Sequence, residues 1–135
     1  MAEQKITIQD RELIQAALGI LDRLYKKGRH EVAAAVRTKD GKIYTGIHIE
    51  AKYSGYADVC GEISAIAVAV ADGQSELDTI VAVWKNEKEE KFILEPCGRC
   101  RDVISDFSRD VNVIIGSLDK PIKVKIEKLI PHKPL

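Results

Sequence analysis

The chain has 135 residues, a hydrophobic fraction of 45%, a charged fraction of 31%, and 21 acidic against 21 basic residues for a formal net charge of zero. That length suits a single domain over 1–135 with a core of its own, and the composition is that of an ordinary globular protein. The charge balance argues against nucleic acid or anionic lipid as a partner, and no apolar run is long enough to span a bilayer. The opening Met1-Ala2-Glu3-Gln4-Lys5 lacks the basic region and apolar stretch of a targeting segment, so a cytoplasmic protein is expected.

Thr7 to Lys27 carries apolar residues at Leu13, Ile14, Ala17, Leu18, Leu21 and Leu24, the three-to-four spacing of a helix with one buried stripe. Thr7 followed by Asp10 reads as its N-cap and Gly28 as its stop. Val32 to Thr38 and Ile43 to Ile49 flank Lys39-Asp40-Gly41-Lys42, and Asp-Gly is a strong signal for a hairpin of two antiparallel strands. Tyr53 and Tyr56 fall in the loop that follows, where loop or interface packing is the expected role. Cys60 to Ala71 is apolar nearly all round and reads as a buried helix closed by Asp72-Gly73. Thr79 to Trp84 is a β-branched strand, and Glu87-Lys88-Glu89-Glu90-Lys91 a solvated hairpin or loop. Cys97 to Phe107 is a third helix with Val103, Ile104 and Phe107 on one face. Val111 to Ile115 and Ile122 to Ile126 are too closely linked for a parallel crossover and should form an antiparallel hairpin. Helices between the second, third and fourth strands call for parallel pairing there. The expected fold is α/β, a three-layer α/β/α domain around a mixed five-stranded sheet. His30 and His132 sit at element ends and read as surface residues.

All three cysteines fall at helix starts, Cys60 in Cys60-Gly61-Glu62 and the others in Pro96-Cys97-Gly98-Arg99-Cys100-Arg101. An odd cysteine count does not make a disulfide framework, and in a reducing compartment this spacing points to metal or thiol chemistry. Three thiolates can hold Zn²⁺ and leave its fourth tetrahedral position for water. Helix N-termini favour the thiolate form. Glu62 lies two residues after Cys60, off the ligand face of the helix, and is placed to carry protons rather than to bind metal. Three thiolates overbalance a dication, so positive charge is expected nearby, and Arg99 or Arg101 is the candidate donor to a ligand sulfur. Two other readings of the cysteines stand beside this one: a CxxC thiol oxidoreductase and a non-catalytic zinc-binding module.

Those residues, with the hairpin ending Thr45-Gly46-Ile47-His48-Ile49-Glu50, resemble the cytidine deaminase superfamily, whose signature pairs a ligand and Glu with a downstream P-C-x-x-C. Cysteine as first ligand is similar to the small tetrameric zinc nucleoside deaminases, and the Pro96 to Arg101 motif with the terminal hairpin looks most like their blasticidin S deaminase branch. The resemblance implies a homotetramer, a Zn²⁺ ligand set of Cys60, Cys97 and Cys100, and Glu62 as the residue that takes a proton from water and passes it to the ring and leaving amine. It implies as substrate the amine-bearing C4 of cytidine, deoxycytidine or an analogue such as blasticidin S, with another modified aminated heterocycle as the alternative. Glu50 matches the family's sugar-binding Glu, whereas His48 stands where Asn is expected. Gly61 replaces the common Ala, with its amide placed to contact the base, and Ile63 replaces an Arg that often offsets the thiolates. The nearly all-apolar helix from Cys60 supports the oligomer, since one small sheet cannot cover Ile63, Ile66, Ala67, Val70 and Ala71.

Overall fold

Thr7 and Asp10 decide where the first helix begins. The Thr7 hydroxyl accepts from the Asp10 amide at 3.1 Å while the Asp10 carboxylate accepts from the Thr7 amide at 3.0 Å, a reciprocal cap that satisfies two otherwise orphaned donors. Helix α1 then runs Ile8–Leu24 and buries Leu13, Ile14, Ala17 and Leu21. It stops one turn short of the expected Lys27, because Tyr25 leaves helical geometry and Lys26 instead bridges to His30 across the turn at Gly28. The computed structural model describes residues 3–134, so the expectation placed on Met1 and Ala2 lies outside the described residues.

Strands β1 (Val32–Thr38) and β2 (Ile43–Ile47) form the expected antiparallel hairpin, with Gly41 taking the left-handed conformation of its turn. Helix α2 (Gly61–Ala71), β3 (Leu77–Lys85), β4 (Lys91–Leu94), α3 (Gly98–Phe107), β5 (Asn112–Gly116) and β6 (Pro121–Lys125) complete the order. The sheet runs β2-β1-β3-β5-β6, with β3 and β5 parallel across the α3 crossover and β5 and β6 an antiparallel hairpin. Helix α1 packs on one face over Ala33, Ala35, Val81, Val83 and Ile114, and α2 and α3 cover the other over Ala34, Val36, Ile80, Ala82 and Val113. The α/β/α layering is therefore as expected.

Two features of the sheet differ from the expectation. The second and third strands are not parallel neighbours: β3 pairs antiparallel with β1, so β1 lies between them. The connection through α2 crosses over the hairpin rather than extending it. The sheet also gains a sixth strand. Beyond the Asn86–Glu90 turn the chain folds back as β4, pairing with Ala82 to Lys85 while β5 pairs with Thr79 to Val81. These two strands share one edge of β3, and β4 delivers the chain directly into Glu95-Pro96-Cys97.

At the far end of the sheet lies a buried ionic network. Asp10, 0% exposed, meets Lys123 at 2.8 Å and Arg37 at 2.9 Å, and Arg37 also binds Asp78 at 2.9 Å. It ties α1 to β1, β3 and β6.

Candidate active site

Cys60 is the N-cap residue of α2 and Cys97 that of α3, so the open amide ends of two helices converge on the same point. The segment before Cys60 is pinned by the Ile49 to Val59 bridge, with Asp58 accepting from the Ala51 amide at 2.6 Å. The turn before α3 is braced by Arg101, whose Nε donates to the Pro96 carbonyl at 2.7 Å and whose Nη1 donates to the Leu129 carbonyl at 3.0 Å. Packing lets these pieces approach. A Cβ on Gly46 of β2 would stand 2.1 Å from the Ala65 amide nitrogen, so only glycine allows the strand to lie against the α2 backbone.

The Sγ atoms of Cys60, Cys97 and Cys100 all lie within 4.8 Å of one another, with Cys60 and Cys97 at 3.8 Å, and all three are free thiols. A tetrahedral zinc with Zn–S bonds of about 2.3 Å requires S···S separations of about 3.8 Å. The donor set therefore fits zinc in both chemistry and spacing. Arg99 Nη2 donates to Cys60 Sγ at 3.1 Å and to the Asp58 carbonyl at 3.3 Å, and this contact with sulfur holds the guanidinium above its ordinary pKa. Arg101 makes no contact with a sulfur, since its donors go to the two carbonyls. At Cys97 burial opposes ionisation but is outweighed by hydrogen bonds from the Cys100 and Arg99 amides and the neighbouring thiols, which pull it below the usual thiol range. At Cys100 burial, followed by the charges of Glu62 and Cys60, pushes the thiol well up. In the metal-free chain the three groups cannot all ionise together; a bound dication removes that conflict.

A cavity of about 280 Å³ opens beside the cluster, its wall formed by Val32, His48, Cys60, Gly61, Glu62, Leu94, Glu95 and Cys97. Glu62 is 4% exposed. Burial raises its pKa, only partly offset by its own amide and by the Cys100 thiol, the direction expected of a carboxyl that must hold a proton as well as release it. His48 is fixed through its backbone, donating to the Val32 carbonyl at 2.7 Å and accepting at 2.8 Å from His30 Nδ1 in the assigned tautomer. Gly61 packs tightly on β1, an added Cβ meeting the Ala33 carbonyl carbon at 3.3 Å. Glu50 is half-buried with its amide bonded to the Arg29 carbonyl at 3.0 Å, and it is not among the residues that line the cavity. Val32, Leu94 and Glu95 line it without having been singled out from sequence. The position of Glu95 directly before Pro96-Cys97 was the available signal; the other two depend on strand pairing.

Residues 7–117 match the family model described as the cytidine and deoxycytidylate deaminase zinc-binding region. The chain is 44% identical over 132 residues to the blasticidin-S deaminase of Bacillus cereus, covering 95% of this chain and 94% of that protein. It is 30% identical over 105 residues to the cytidine deaminase of Halalkalibacterium halodurans, covering 76% of each. Its fold is similar to the crystal structure of the cytidine deaminase from Bacillus anthracis, with a TM-score of 0.79 at 23% identity over 94% of this chain and 89% of that one.

Proposed function

The chain belongs to the zinc-binding cytidine and deoxycytidylate deaminase family, and from that premise we propose that it hydrolytically deaminates the amine-bearing C4 of a cytosine nucleoside, cytidine or deoxycytidine, or of an analogue such as blasticidin S. One observation carries this reading: a buried carboxyl, Glu62, shares a cavity wall with the three-sulfur cluster. Cys60, Cys97 and Cys100 would hold the zinc ion, which would supply Lewis acidity that lowers the pKa of water. Glu62 accepts the proton that water gives up and delivers protons to the ring nitrogen and the departing amine, so that water and the amine are exchanged for a carbonyl and ammonia. Its burial keeps bulk water from competing for those protons.

Arg99 offsets the excess negative charge of three thiolates by donating to Cys60, taking the part for which Ile63 is unsuited. The Gly61 amide, in the first turn of α2 and free of a helical partner, is available to the base. His48 presents an imidazole to the substrate, and Glu50 would join the substrate only through a sugar reaching past the cavity. The high identity to a blasticidin-S deaminase favours an analogue over the plain nucleoside. We further propose a cytoplasmic homotetramer: Ala67, Val68, Val70 and Ala71 of α2 are all exposed, the two valines at 46%, and together form an apolar face that a second copy would cover. No described helix is long and apolar enough to cross a membrane.

Ammonia release and absorbance change, measured on cytidine, deoxycytidine, cytosine, blasticidin S and other aminated heterocycles, test the reading. Turnover of a cytosine-bearing compound by protein carrying about one zinc per chain is expected. Protein that purifies without zinc and with Cys97 joined to Cys100 would instead be a thiol oxidoreductase, and zinc-loaded protein inert on the whole panel would be a binding module. Light scattering should give four chains; a fully active monomer would refute the assembly.

A further inference from the structure

Glu95 is the one lining residue of the cavity whose charge the proposed chemistry does not use. It is exposed, at the end of β4, and its carboxylate has neither an ion-pair nor a hydrogen-bond partner among the described residues. No lysine or arginine lines the cavity. The nearest guanidinium assigned to the site, Arg99, is engaged with Cys60 and lines a separate cleft with Ile63 and Val103. Glu62 is buried and Glu95 exposed on the same cavity wall, so a ligand that puts its amine beside Glu62 shares the cavity with the Glu95 carboxylate. With about 280 Å³ available, just below the usual range for small-molecule sites, the heterocycle and part of its substituent fit within the cavity that Glu95 lines.

We infer that Glu95 is a specificity-determining residue: its free carboxylate selects aminated pyrimidine nucleosides whose sugar-side substituent is cationic, accepts neutral ones, and rejects phosphorylated ones. This rests on the deaminase reading above and narrows it, since the family model spans both nucleoside and nucleotide substrates. The physical basis is Coulombic. Once a bound ligand covers it, the carboxylate attracts an ammonium and repels a phosphate, each by about tenfold at contact distances of several ångströms in a medium of intermediate dielectric. No lysine or arginine lines the cavity to cancel it.

The test uses three ligands with one base: 5′-amino-5′-deoxycytidine, cytidine and cytidine 5′-monophosphate. Their dissociation constants are measured by calorimetry on zinc-loaded protein carrying Glu62→Gln, which stops turnover, with and without a change at Glu95. With Glu95 present the amine should bind about tenfold more tightly than cytidine and the phosphate about tenfold more weakly, and added salt should compress both gaps. Glu95→Gln should bring all three within about threefold, and Glu95→Lys should reverse the order. An order unchanged by Glu95→Gln, or no binding of any of the three, overturns the inference. Ammonia release from cytidine by the wild-type protein is followed separately. Turnover with no Glu95-dependent charge preference sinks this inference alone, whereas charge-ordered binding without turnover of any substrate sustains it and sinks the deaminase reading.

Discussion

Asp10 and Glu62 are both carboxylates in the first turn of a helix, and both are buried, at 0% and 4% exposure. Their environments push them in opposite directions. Burial acts first on Asp10 and would raise its pKa, but hydrogen bonds from Lys123, the Thr7 amide and Arg37 outweigh it and hold the carboxyl below the usual range. Burial acts first on Glu62 too, and no lysine or arginine answers it, so its pKa rises. Pairing, more than burial, separates a carboxylate that anchors a fold from one kept ready for proton transfer.

The comparison is broken most forcefully by removing the anchor. Asp10→Ala strands Lys123 and Arg37 without their shared partner and deletes half of the α1 cap, so urea unfolding should show a loss of about 3–5 kcal/mol while kcat/KM of the folded fraction is retained. Equal loss of activity and stability would mean that the two ends of the sheet are coupled. At the other end, Glu62→Gln should leave the metal-free protein as stable as wild type or more so, because the amide has no ionisation to suppress.

The pH dependence follows the same division. Asp10 and Asp78 have depressed folded pKa values, so their contribution is complete above the unfolded carboxylate range, about pH 4, and is lost as pH falls through the lower folded values. Glu62 has a raised folded pKa, so it costs stability at high pH, and the cost is relieved as pH falls through that value. Unfolding followed against pH in metal-free protein should show Asp10→Ala flattening the acid limb, and Glu62→Gln removing the gain that wild type makes as pH falls through the raised Glu62 value.

Smaller effects sharpen the account. Arg99→Leu removes the donor to Cys60 and should weaken zinc binding by roughly tenfold in a chelator competition. Arg101→Leu should act through stability instead, because its partners are the Pro96 and Leu129 carbonyls. Thr7→Ala, which deletes only the hydroxyl cap, should cost about 1 kcal/mol of unfolding free energy.

Local signals were readable from the chain and long-range ones were not. The Thr7 and Asp10 cap, the Asp40-Gly41 turn and the cysteine-bearing helix starts all depend on neighbours within a few residues, and each stands where the residue types placed it. Strand order depends on which strand β3 chooses, and alternation alone does not say that it adds antiparallel to β1. Strand β4 is four residues behind a charged turn, too short for a period to show. The partnership of Asp10 with Lys123 spans 113 residues, and the need for Gly46 arises only once α2 lies against β2. At the site, cysteine spacing gathered the three sulfurs in advance, but which arginine would reach them was set by the direction of the α3 turn.

The most direct test of the account sets zinc content beside ammonia release in wild-type protein and Glu62→Gln. It predicts about one zinc per chain in both proteins and turnover at least about a hundredfold lower in the variant. A variant that binds zinc and keeps most of its activity would contradict the assignment of proton transfer to Glu62.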